Sequence, residues 1–515
     1  MPELSLESQQ DMLRAIVKNN SKSSLYTHLE IGHLAKVSNF DELYSEFKNQ
    51  TPLVDYDSFM TLLSNITGTD RDPVKLLSKQ GLLTKQPLEA IGKWNQECFP
   101  VSKQQLQGFY ELEKEIVKNV FPTEIKGTKF QLFESAEILV AKGITVGDMQ
   151  AIYNQRRPWL WKKNFAPELT EFAGVGKSRY QLMHAFLDTL DKSPDIEVVF
   201  ANPKTLAEMS LLLAQREGRF VPLNEMCPQI KYYVHFGEPL YLHRKEVGYF
   251  LNGLGDLDYI EIYTNGTGAF AYQADFNLKH WLTLCDDMGV FYEFIPVEDT
   301  LKDGRLKKNY RRFHMGQIEK GKSYLLIVSS LSGLLSYSTG DIVEIKSTSP
   351  LRIRYRYPNI WLNHFGECLN QEGIEMLIAE INDALVLEGF FIRDYLFGDD
   401  MNNGHPHWVL EISRPIQDIR DDVLKVVTNR LHMEMLLQNN EYRRIYKETE
   451  KEIGTPHVTF VAMGTFSSLS AKSDRSRFDT DPELSRIKHI IEGAWDKKTF
   501  QAEDSMNNEK PIIQN

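Results

Sequence analysis

Four groups of residues in this chain have the types, and nearly the spacing, that chemistry asks for. Gly174-Val175-Gly176-Lys177-Ser178 has the ending of a phosphate-binding loop, but the G-x-x-x-x-G-K-S frame puts Glu171 where its first glycine belongs. A carboxylate there repels phosphate, and no strand pattern runs into the segment to align backbone amides, so it reads as structural. His405 and His407 flank Pro406 and could face one metal ion, yet no third ligand stands nearby, and H-P-H reads as a turn. Trp159 and Trp161 sit among Arg156, Arg157, Lys162 and Lys163, a pattern that could stack on nucleic-acid bases. Cys98, Cys227, Cys285 and Cys368 are far apart with no C-x-x-C pair, which excludes a zinc knuckle and a disulfide framework and suits a reducing compartment.

The charge balance weighs against the nucleic-acid reading. Acidic side chains number 71 against 59 basic ones, a net −12 over 515 residues, whereas domains that neutralise a phosphate backbone are usually basic. The tryptophan segment is therefore expected to pack as a surface turn. The densest basic cluster, Lys302, Arg305, Lys307, Lys308, Arg311 and Arg312, reads as a solvated face. The first residues carry acid where a signal peptide needs bases, and no apolar run reaches the roughly 18 residues of a membrane span. A cytoplasmic protein with no membrane and no nucleic-acid partner is expected.

The elements that must position any site follow from periodicity. Residues 1–120 are mostly helical in pattern, with apolar spacings near 3.6 at 11–17, 40–47 and 104–117. From residue 195 the texture changes to strand, helix, strand at 196–201, 204–217 and 229–236, which predicts an α/β layer. Strand patterns follow at 258–263, 290–296, 323–329, 341–345 and 351–357. Beyond a linker near 345–365, helices at 371–387 and 419–437 bracket strands at 390–397 and 407–413, a small α+β domain. This gives an α/β domain over 1–360, an α+β domain over 361–496, and a polar disordered tail over 497–515.

Several segments, in order, are more specific. Phe291-Tyr292-Glu293-Phe294-Ile295-Pro296 precedes the apolar Tyr324-Leu325-Leu326-Ile327-Val328, then Ser332-Gly333-Leu334, then Tyr337-Ser338-Thr339-Gly340-Asp341. Leu362-Asn363-His364-Phe365-Gly366-Glu367, His407-Trp408-Val409-Leu410-Glu411 and Met463-Gly464-Thr465-Phe466 follow. Together they resemble the Gretchen Hagen three family of acyl-acid amido synthetases, with its F/Y-E-F-I-P strand, Y-x-x-G-D turn, I-N-x-F-G-E hinge, W-x-x-E strand and late G-T-F turn. The resemblance runs from about Thr27 to Phe466. It implies the adenylate-forming fold: a large N-terminal α/β domain, a hinge at Asn363, Gly366 and Glu367, and a C-terminal lid that swings between two half-reactions. It also implies ATP and Mg2+ as cofactors, with a small carboxylic acid activated as an acyl-adenylate and passed to an amine or amino acid.

Such chemistry needs donors for three phosphates, a carboxylate near magnesium and another on the ribose diol. By the resemblance Asp341, following Gly340, takes the ribose role, and a turn-capping role is equally open to it. Tyr263, Thr267, Phe294 and Tyr337 are placed around the substrate cleft. The family's Ser-Gly-Thr loop is missing ahead of Phe99, which leaves Lys93 as the obvious phosphate partner. In Tyr263-Thr264-Asn265-Gly266-Thr267-Gly268, Gly266 replaces a serine and Thr267 the metal-associated glutamate, so no magnesium carboxylate remains. Arg356 is the nearest match to the arginine expected before the hinge. Two readings follow: a ligase with altered nucleotide handling, or a catalytically silent relative without cofactors that binds or scaffolds, through a protein partner.

Overall fold

The computed structural model describes residues 4–94, 97–133, 135–136, 138–166, 179–217, 221–237, 240, 247–248, 250–251, 258–286, 288–301, 305–358, 361–362, 367–385, 388, 390–400, 405–448, 454–463, 465–466, 478–479 and 485–503. The chain divides into two compact units, Met1–Asp299 with Lys307–Arg356, and Thr300–Leu306 with Tyr357–Asn515. The Gly-Lys-Ser segment at 174–178, the hinge positions Asn363 and Gly366, and residues 504–515 lie outside the described residues.

The first unit is built on a 12-stranded sheet. Its parallel half pairs Phe165–Ala166, Thr128–Gln131, Ile196–Ala201, Tyr232–Phe236 and Tyr259–Asn265 in that order. The helices Arg179–Lys192 and Pro203–Glu217 supply the crossovers that parallel pairing requires. The central strands of this half are buried along their whole length because both faces are covered: one core gathers Phe186, Leu206 and Tyr233, the other Val198, Val234 and Ile260. The other half is antiparallel and carries Gly268–Tyr272, Val290–Pro296, Ser323–Ser330, Tyr337–Thr348 and Leu351–Pro358. A separate four-stranded sheet holds Ala90–Trp94, Glu97–Val101, Ile138–Ala141 and Ile144–Asp148.

Helix starts follow local chemistry. Ser5 and Ser102 each accept a bond from the amide three residues on, and Ser8 and Gln105 reciprocate, closing capping boxes ahead of Leu6–Asn20 and Lys103–Glu115. Gln9, buried in the first helix, donates to the Val290 carbonyl at 3.0 Å and accepts from the Tyr292 amide at 2.8 Å, which docks that helix on the sheet.

In the second unit, Phe478–Asp479, Ile392–Asp400, His405–Ile412, His457–Val461 and Lys497–Gln501 form one sheet in that order. Gln371–Leu385 and Asp421–Gln438 pack on it over Trp408, Leu410 and Phe460. Two sequence expectations are corrected here. Lys497–Gln501 is an edge strand, registered antiparallel on His457–Val461, rather than the start of a disordered tail. His405 and His407 open a strand rather than a turn, Pro406 lying opposite Asp399, and their rings bond the Thr455 carbonyl and the Thr459 hydroxyl, both at 2.9 Å.

The basic cluster is corrected as well. Lys307 and Lys308 are exposed, and Arg311 pairs with Glu298 and Asp299 at the surface. Arg312 is buried and fully engaged.

Candidate functional site

The hairpin Tyr259–Asn265 to Gly268–Tyr272 turns at Gly266 and Thr267, and beside it the strand Tyr337–Thr348 opens on Gly340 and Asp341. Gly340 has φ of 74°, a conformation that favours glycine, and the bend it allows directs Asp341 toward the hairpin. The Asp341 carboxylate, 1% exposed, accepts at Oδ2 from the Tyr263 hydroxyl at 2.6 Å and from Asn265 Nδ2 at 2.9 Å. Its own amide donates to Thr339 Oγ1 at 3.1 Å, and Thr339 donates to the Leu326 carbonyl.

Asn265 is the centre of the turn. Its Oδ1 accepts from the Thr267 amide at 2.9 Å and from the Thr267 hydroxyl at 2.7 Å, while Gln105 Nε2 donates to the Thr267 carbonyl at 3.0 Å. Thus Thr267 directs its amide, hydroxyl and carbonyl to neighbours within the protein. The Tyr263 ring stacks on Tyr355 at 4.5 Å. Phe99 closes the other side: a Cβ placed on Gly266 would lie 2.2 Å from the Phe99 ring, which also meets Tyr56 and Tyr337 at 5.4 and 5.8 Å.

Of the sequence candidates, the structure gathers Asp341, Gly340, Tyr263 and Thr267 into one hydrogen-bonded cluster. Lys93 stands apart: it lies on Ala90–Trp94, paired across the four-stranded sheet with Cys98 and Asp148, and takes no part in the cluster's described bonds. Arg356 faces Glu344 on the neighbouring strand at 3.7 Å. Phe294 is fully buried and edge-on to Tyr324, and Tyr337 is wedged between Phe59 and Phe99. Glu367 is buried in the second unit. A cavity of about 650 Å³ in the first unit is lined by Thr84, Gln86, Glu89, Ser102, Gln107 and Ser332 among others, and none of the sequence candidates borders it.

Sequence reasoning did not single out Asn265, Phe99, Gln105 or Tyr355. Asn265, two residues before Thr267, carried a readable signal, since asparagine often closes a turn onto the amide two positions on. Burial pushes the Cys98 and Cys227 thiols up to about 11, away from the thiolate that a nucleophile needs.

Residues 282–357 match the GH3 family central domain. The indole-3-acetic acid-amido synthetase GH3.3 of Arabidopsis thaliana is 21% identical over 182 residues, 35% of this chain and 30% of that protein. A probable indole-3-acetic acid-amido synthetase of Oryza sativa subsp. japonica, GH3.11, is 22% identical over 126 residues, 23% of this chain and 21% of its own length. These matches span less than a third of the curated relatives. Over nearly the whole chain, the fold is that of the GH3.15 acyl acid amido synthetase, with a TM-score of 0.70 at 14% identity, covering 97% of this chain and 95% of that one. A 2-hydroxyisobutyryl-CoA ligase in the postadenylation state, in complex with R3-HIB-AMP, superposes with a TM-score of 0.55 at 10% identity, covering 94% and 91%.

The chain is similar to the GH3 family over residues 282–357 and has the α/β adenylate-forming fold.

The GH3 resemblance makes ATP and magnesium the groups to test against this cluster, and the residues present do not fit them. Thr267 offers no carboxylate, its polar groups are spent on Asn265 and Gln105, and the Phe99 ring fills the space a side chain at Gly266 would enter. Among the described residues no group of three or more His, Cys, Asp or Glu is arranged to hold a metal ion.

Proposed function

We propose that this GH3-like protein uses the adenylate-forming fold as a binding or scaffolding module, and that the positions its relatives devote to nucleotide serve here as packing. The observation that carries this reading is the contact of Phe99 with Gly266. An aromatic ring placed against the turn at Gly266 and Thr267 removes the room that donors and a hydrated cation require, and donors aimed at developing phosphate charge are usually the largest catalytic contribution in such reactions. The simultaneous loss of the Ser-Gly-Thr loop and of the motif glutamate supports the same conclusion from sequence.

One observation favours a second reading, a ligase with altered phosphate handling that activates a small carboxylic acid and transfers it to an amine. Asp341 is present, and Tyr263 and Asn265 orient its carboxylate as a prepared acceptor. Calorimetric titration of the full chain with ATP and magnesium, with pyrophosphate exchange over a panel of carboxylic acids, separates the two. Silence at millimolar ATP and no exchange support the module. Micromolar binding with exchange supports the ligase and overturns our reading.

A further inference from the structure

The tryptophan segment set aside in the sequence acquires a context in the fold. Trp159–Lys162 is a short helix whose outward side chains, Trp159 and Leu160, are 69% and 72% exposed. In the four-stranded sheet the edge strand Ile138–Ala141 leaves Leu139 and Val140 49% and 74% exposed, just before a tight turn at Lys142 and Gly143 with φ of 51° and 82°. Leu139 and Val140 point to opposite faces of this edge strand, and Val140 is the one on the face of Thr145. Val140 lies directly across the ladder from Thr145, and Arg156, just ahead of the short helix, donates to Thr145 Oγ1 at 3.0 Å.

The same region is cationic in an acidic chain. Across residues 138–163 the charged side chains are Lys142, Arg156, Arg157, Lys162 and Lys163 against the single carboxylate of Asp148. Asp148 is buried and caps the helix Met149–Arg156. Arg157 is buried on Glu113, so Lys142, Arg156 and Lys163 are the exposed cations, with Lys162 half-buried. Lys163 lies over the Trp159 ring at 3.8 Å, and Lys118, in the helical turn Ile116–Val120, lies over Trp161 at 5.9 Å.

We infer that this face docks the protein on an anionic lipid surface. Large apolar side chains left exposed beside cations, as Trp159 and Leu160 are, mark an interaction site. Tryptophan flanked by lysine and arginine is the combination that settles at the boundary of headgroups and acyl chains, and basic residues beside it add attraction to anionic lipid. The patch lies on the surface and does not span: among the described residues no helix is long and apolar enough to cross a membrane. The sequence expectation of no membrane partner rested on the acidic first residues and the absence of a span, and neither bears on a local patch.

The test is cosedimentation of the full chain with vesicles of phosphatidylcholine, with and without about 30% phosphatidylserine, at an ionic strength of about 0.05 M. Binding is expected to the phosphatidylserine vesicles, weak or absent on pure phosphatidylcholine, and lost in high salt. Trp159→Ser with Leu160→Ser, and separately Lys162→Glu with Lys163→Glu, should each lower the apparent affinity by about tenfold or more at unchanged melting temperature. Failure of the parent chain to bind, or equal binding by parent and both variants, overturns the inference. So does a concentration-dependent dimer that Trp159→Ser with Leu160→Ser dissolves in the absence of vesicle binding, which assigns the face to a second copy of the chain.

Discussion

Arg312 closes on Glu293 inside the first unit, the two side chains being 4% and 0% exposed, with bonds of 2.7, 2.8 and 3.1 Å between guanidinium and carboxylate. The remaining donors reach the Lys48 and Thr51 carbonyls at 3.1 Å and the Ser336 hydroxyl at 2.7 Å. The glutamate of the F-E-F-I-P strand is therefore a structural anchor that joins the end of the helix Phe40–Gln50 to two strands of the sheet. Removing one partner strands a buried charge, so Arg312→Ala is expected to cost about 3–5 kcal/mol of stability. Urea unfolding checks this, and a loss under 1 kcal/mol on the same scale contradicts the anchoring role.

Asp341→Ala deprives the Tyr263 hydroxyl and Asn265 Nδ2 of their acceptor in a buried setting. A loss of about 2–4 kcal/mol is expected, because each orphaned donor costs about 1–3 kcal/mol. Asp341→Asn, which keeps an acceptor oxygen, should recover part of it. An Ala variant with unchanged denaturation midpoint would mean that the network carries no stability and would return Asp341 to the role of a waiting ligand.

Gly266→Ser drives its Cβ into the Phe99 ring. Overpacking of this kind typically costs about 1–3 kcal/mol, and Phe99→Ala in the same chain should relieve a measurable part. A double-mutant cycle in denaturant reads the coupling. Restoring the family's Ser-Glu pair at Gly266 and Thr267 is accordingly expected to destabilise the protein and to bring no magnesium-dependent gain in melting temperature while Phe99 is present. Simple additivity across the cycle counts against the contact.

His235, on the strand Tyr232–Phe236, is buried beside Glu261, with Lys279 and His280 as the other charged neighbours, and burial depresses its pKa from 6.5 to about 4 despite the opposing pull of Glu261. The unfolded chain then binds more protons than the folded one between those values, so the stabilisation is full above pH 6.5 and declines as pH falls toward 4. Stability should be about 2 kcal/mol lower near pH 5 than near pH 7.5 on this account. His235→Phe should flatten that slope. An unchanged slope in the variant assigns the pH dependence elsewhere.

Local patterns reached the fold because they report on neighbours a few residues away. Apolar spacings near 3.6 marked helices that are found at Leu6–Asn20, Phe40–Gln50 and Lys103–Glu115, and short apolar runs marked Ile196–Ala201 and Val290–Pro296. The turn between Tyr263 and Gly268 was likewise readable, since glycine and short polar side chains announce tight backbone before any partner is known, whereas Gly340 and Asp341, read as a turn, lie within the strand Tyr337–Thr348. The meaning of these positions was not readable. Whether Asp341 waits for a ligand or binds its neighbours depends on Tyr263 and Asn265, more than seventy residues away, and whether Gly266 opens a space depends on Phe99 from another sheet. Charge misleads a linear reading for the same reason. Arg312 stands in a run of exposed bases and is buried, because its partners Glu293, Lys48 and Thr51 lie on other elements. Sequence alone determined many of the helices and strands, through interactions at short range along the chain, and its resemblance to a family pointed to the type of fold, while the strands Ala90–Trp94, Glu97–Val101 and Lys497–Gln501 escaped it. Tertiary structure decided which polar groups are satisfied and which surfaces are left open, because desolvation and pairing depend on what packs around a group in space rather than on what stands beside it in the chain.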